Sequence, residues 1–83
     1  MSSFYCECLK DYARTIEDSR PGVEGRRKTA KVIAHALYAM NLTIEEAIEV
    51  INEWNASLAW MWPQRDINNF IGWVRDRHDP FYF

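Results

Sequence analysis

Gly25-Arg26-Arg27-Lys28-Thr29-Ala30-Lys31-Val32-Ile33-Ala34-His35-Ala36-Leu37-Tyr38-Ala39-Met40-Asn41-Leu42-Thr43-Ile44-Glu45-Glu46-Ala47 is the stretch on which the fold turns. From residue 30 to residue 40 it is apolar around much of a helical circumference, the pattern of a central helix with neighbours on more than one side. Its many alanines allow close helix–helix approach. Asn41-Leu42 closes this helix, expected over about residues 26–40. Thr43 then offers an N-cap, Glu46 completes a capping box three residues later, and Leu42 is placed to staple against Ala47.

The third helix is expected to reach residue 54 or 55, with Ile44, Ala47, Ile48, Ile51 and Trp54 inward and Glu45, Glu46, Glu49 and Glu53 outward. A connection, Ala56-Ser57-Leu58-Ala59-Trp60-Met61-Trp62-Pro63, leads to a fourth helix. Pro63 suits its first turn or the position just before it. That helix is expected to bury Ile67, Phe70, Ile71 and Val74 and to run to about residue 78, where Asp79-Pro80 stops it. Upstream, Ser2 or Ser3 can cap a first helix reaching about residue 18. Its apolar face is read as Phe4, Tyr5, Cys8, Leu9, Tyr12, Ala13 and Ile16. Ser19-Arg20-Pro21-Gly22 breaks it. With no strand-period segment and no internal repeat, the expectation is all-α: a small single-domain bundle of about four helices over residues 1–83.

The bulk numbers agree. The 83 residues leave room for one small core. A hydrophobic share of 48% with 27% charged residues argues against disorder. The net charge of −2 excludes a chain that coats nucleic acid through global charge, so any such contact must come from a local patch. No apolar run approaches the roughly 20 residues of a membrane span. The first residues lack a signal peptide's basic and apolar regions, and a cytoplasmic setting is expected. Cys6 and Cys8 would point about 200° apart on a helix, which suits neither a mutual disulfide nor a shared metal. Cys8 is read as core and Cys6 as a reduced thiol. No metal or cofactor is expected.

Two features stand out as candidate sites. Arg26, Arg27, Lys28 and Lys31 sit in the first turns of a helix, whose N-terminal end carries partial positive charge and disfavours cations. Backbone amides beside two guanidiniums can hold a phosphate, with Gly25 allowing close approach. Equally, the cluster can be a solvated basic turn paired with Glu24 or with the acidic third helix. The segment lacks the second glycine and the ending of a Walker motif. The other feature is Trp60-Met61-Trp62, with Phe81-Tyr82-Phe83 near the end of the chain. These rings either roof the core or form a stacking platform for unpaired bases or a protein contact. At least one of Trp60 and Trp62 should be accessible.

The remaining polar residues read as structural. The glutamates form a solvated helix face, His35 a buried or half-buried histidine, and His78 a favourable charge at a helix C-terminus. No nucleophile has a visible base and orienting partner, so no enzyme is expected.

Gly25-Arg26-Arg27-Lys28-Thr29, Leu42-Thr43-Ile44-Glu45-Glu46-Ala47, Glu53-Trp54-Asn55, Pro63 and Asp66-Ile67 together resemble the primase C-terminal domain of phage, plasmid and mobile-element replication proteins. The likeness spans about residues 22–78. Lys28 stands where that family often has Asn, and Pro63-Gln64 replaces its usual Pro-Leu pair. With no polymerase domain beside it, the resemblance implies an accessory piece that engages single-stranded template or couples a primase to a helicase or polymerase.

Two functions follow as expectations. The first is a non-catalytic replication module in which Arg26, Arg27, Lys28 and Lys31 contact phosphates of single-stranded DNA while Trp60 and Trp62 stack on bases or on a primase, polymerase or helicase partner. In that reading Trp60, Met61, Trp62, Phe81, Tyr82 and Phe83 form the partner surface. The second is a small phage or mobile-element protein that binds and inhibits a host protein. A helix-turn-helix regulator fits less well, because an acidic third helix makes a poor recognition helix against phosphates.

Overall fold

The computed structural model describes residues 3–16 and 25–76. The break at residues 17–24, His78, and the tail with Phe81, Tyr82 and Phe83 lie outside the described residues. Four α-helices make up the described chain: α1 Ser3–Arg14, α2 Arg26–Ala34, α3 Ile44–Ala56 and α4 Gln64–Asp76. Among the described residues there is no strand. No helix there is long and apolar enough to cross a membrane.

α2 is the hub. It packs on α4 and on α1, α1 packs on α3, and the five residues that continue α2 pack on α3. The shared core is largely aliphatic around one large ring: Leu9, Val32, Ile33, Ala36, Ala47, Val50, Ile51, Ile67 and Val74 are fully buried with Trp54.

The central helix departs from the regular form expected through residue 40. After Ala34 the backbone widens into a π-helical segment, His35–Ala39. Ala36 and Leu37 remain buried, and the His35 ring stacks on Tyr12 of α1 at 3.8 Å and 6°. Burial there pushes the His35 pKa below its ordinary value. Asn41 then stops the helix at φ 59°, the left-handed region that asparagine tolerates better than other residues with a side chain beyond glycine's.

α3 begins as its sequence requires. Thr43 Oγ1 accepts from the Glu46 N–H (3.2 Å), and Glu46 Oε1 accepts from the Thr43 N–H (3.0 Å). The Thr43 amide bond holds the Glu46 carboxyl below the usual range. Leu42 is half-buried against the core. Ile44, expected inward, is exposed, because the buried stripe runs through Ala47, Val50, Ile51 and Trp54.

α1 corrects the reading of its face. The buried line is Cys6, Leu9 and Ala13, spaced three and four residues apart. Cys6 is therefore core and Cys8 only half-buried, the reverse of the expectation. Burial raises the Cys6 pKa. Phe4 is 70% exposed and Tyr5 is also exposed; their rings pack edge-on to each other, 5.4 Å apart. The α-helix stops at Arg14, where the Thr15 hydroxyl donates to the Tyr12 carbonyl at 2.7 Å and competes with helical bonding.

Candidate functional site

The site is organised by Trp62, in the link between α3 and α4. Its main chain is clasped by Asn55, in the last turn of α3. Asn55 Nδ2 donates to the Trp62 carbonyl (2.9 Å), and Asn55 Oδ1 accepts from the Trp62 N–H (2.8 Å). Asn55 is only 4% exposed, so its amide serves a backbone that water cannot easily satisfy. The indole reaches a third helix: Trp62 Nε1–H donates to Oγ1 of the fully buried Thr29 on α2 at 3.0 Å. Its ring also meets Phe70 of α4 edge-on, 5.1 Å away at 76°. One residue thus ties α3, through its main chain, to α2 and α4, through its indole.

α4 starts directly after this anchor. The Pro63 carbonyl accepts from the N–H groups of Asp66 (2.9 Å) and Ile67 (3.1 Å), so proline stands just before the first turn. Gln64 Nε2 ties that turn to α3 through Asn52 Oδ1 at 3.2 Å. The helix then shows two faces. Ile67, Ile71 and Val74 enter the core, while Asp66, Asn69, Phe70 and Trp73 follow the same spacing one residue off and face α2 across a groove.

The groove has a volume of about 820 Å³. Arg26, Arg27, Ala30 and Lys31 form its α2 wall, and Trp62 lies between the walls. Among the described lining residues, Arg26, Arg27 and Lys31 face one carboxylate, Asp66. Among the described residues none of these four charged groups is in an ion pair. Gly25 occupies the N-cap of α2 in an extended conformation with no side-chain cap, and the first turn holds no acid.

The expected site residues therefore divide. Arg26, Arg27, Lys31 and Trp62 are brought together in one groove. Lys28 is not among them; it lines a smaller hollow on the other flank of α2 with Lys10 and Arg14. Trp60 and Met61 sit on the link outside both hollows, 68% and 61% exposed. The split between an exposed Trp60 and a half-buried Trp62 agrees with the expectation that at least one is accessible.

Phe70 is half-buried as a groove wall, not fully in the core as expected. Asp66, Asn69 and Trp73 were not anticipated in the site. Their signal is the second stripe on α4, visible once Ile67, Ile71 and Val74 are assigned to the first. Chemically, the groove sets guanidinium and ammonium donors opposite aromatic faces, a combination suited to an anionic ligand with a flat ring. No family model, curated protein or solved structure matches this chain.

Proposed function

We propose that the protein is a non-catalytic accessory module of mobile-element DNA replication. It binds single-stranded nucleic acid in the α2–α4 groove and presents Trp60 and Met61 to a primase, polymerase or helicase partner. The observation that carries this reading is the convergence of Arg26, Arg27 and Lys31 with Trp62, Phe70 and Trp73 around one groove. Phosphates would meet the α2 wall while bases stack on the rings, the division of labour common to single-strand binders. The likeness of residues 22–78 to the primase C-terminal domain supports the replication setting.

The test is tryptophan fluorescence during titration with short single-stranded DNA at two salt concentrations. Trp62 and Trp73 line the groove, so quenching is expected. Affinity should fall with salt at a slope near −0.7 per phosphate neutralised, and binding should be lost in Arg26→Ala/Arg27→Ala. Salt-insensitive binding unchanged in that variant would remove the reading.

A second reading rests on Trp60 and Met61, two large apolar side chains side by side in solvent. In it the protein binds and inhibits a host protein through this link. Recovery of one host enzyme that survives nuclease treatment and is lost in Trp60→Ala/Met61→Ala would favour it. Loss of the enzyme on nuclease treatment would count against it.

A further inference from the structure

The second hollow has no role in the groove described above, and its lining is unusual for an acidic chain. Lys10 and Arg14, one turn apart on α1, meet Lys28 of α2 over Trp54, Ser57 and the end of α3 around an open hollow of about 310 Å³, with no carboxylate among the described lining residues. The cations come from two helices far apart in sequence, so this is a product of the fold and not of a local basic run.

Its position relative to the groove gives it meaning. Arg27 and Lys28 are consecutive on α2 yet line different hollows, a parting that the rotation of about 100° per residue allows. The first turn of α2 is thus a cationic ridge, with the aromatic groove on one flank and the Lys10–Arg14–Lys28 hollow on the other. A helix with its side chains is only about 10–12 Å across, a span that a few nucleotides can cover.

We infer that the Lys10–Arg14–Lys28 hollow is a second phosphate subsite, reached by a single strand that leaves the aromatic groove and crosses the first turn of α2. The inference rests on the groove reading and extends it. The hollow holds backbone phosphate without stacking a base, because its ring, Trp54, is buried and its other apolar groups are Ala13 and Leu58. Lys10 and Arg14 are held by Glu7 at 3.2 Å and by Asp11. Both are exposed three-residue pairs on one helix, which bind weakly enough for a phosphate to compete.

The experiment compares oligothymidylates of about four and about twelve nucleotides, within the usual span of single-strand site sizes, on wild type and on Lys10→Gln/Arg14→Gln. Glutamine keeps the helix and removes the charge. In the wild type the longer strand should bind at least about tenfold more tightly, with a steeper salt dependence. In the variant that gain should disappear, and the slope for the longer strand should fall by about 1.4, roughly 0.7 for each lost cation. Binding of both lengths with no gain, or with a gain the variant keeps, would overturn the second subsite and leave the groove standing. Failure of both lengths to bind wild type would overturn both.

Discussion

The first turns of α2 and α3 are opposites built from the same backbone. α3 opens with a reciprocal capping box and Glu45 and Glu46 in its first turn, so charge and hydrogen bonds both suit the helix N-terminus. α2 opens with glycine, no side-chain cap and the run Arg26-Arg27-Lys28. Each cation there opposes the helix dipole by about 0.3–1 kcal/mol at low salt. A turn that satisfies every local rule has the look of scaffold. A turn that breaks several and fronts a groove is where binding should be sought.

The strongest way to break this contrast is to release the wall that gives the α2 cations a groove. Asn55→Ala removes both bonds to Trp62 and leaves its part-buried N–H and C=O to find other partners. The expected cost is about 2–4 kcal/mol, read as a shift in urea midpoint, with loss of the Trp62–Thr29 bond. A change under about 0.5 kcal/mol would mean that Trp62 is held by packing alone.

The α3 start offers a smaller and cleaner comparison. Thr43→Ala should destabilise the fold by about 1 kcal/mol and leave nucleic-acid binding unchanged. An equal loss of binding would show that the two helix starts are not functionally distinct.

These two residues also mark what was legible beforehand. The capping box is visible in sequence because Thr43 and Glu46 are three residues apart and the rule is local. The Asn55 clasp spans seven residues of irregular chain, and the Thr29 bond spans thirty-three. Neither has a periodic signature. The bundle followed from apolar spacing, whereas the groove required knowing that α4 lies beside α2. The parting of Lys28 from Arg26 and Arg27 was readable from helical rotation once the buried face of α2 was known. In α1, large rings at Phe4 and Tyr5 drew the apolar face away from its true line through Cys6, Leu9 and Ala13. The π-helical segment left no mark in a run of small apolar residues.

The smallest expected effect is electrostatic and lies away from both helix starts. Burial lowers the His35 pKa from its ordinary 6.5, so the folded state favours the neutral ring. Stability from this group is full above 6.5. It declines as pH falls below that value, because the unfolded chain takes up the proton more readily, and it levels off once the lowered folded pKa is passed. Denaturation of wild type and His35→Gln from about pH 7.5 to about 5 should show the wild type losing more stability. Parallel curves would remove this role for His35.

The most direct measurement follows urea stability and single-stranded DNA affinity together in Arg26→Ala/Arg27→Ala. Removing two cations from a helix N-terminus in favour of a better helix former should raise stability by up to about 1–2 kcal/mol while abolishing salt-dependent binding. A variant that is less stable and binds DNA as well as wild type would show the basic turn to be scaffold, and would contradict its assignment as a binding site.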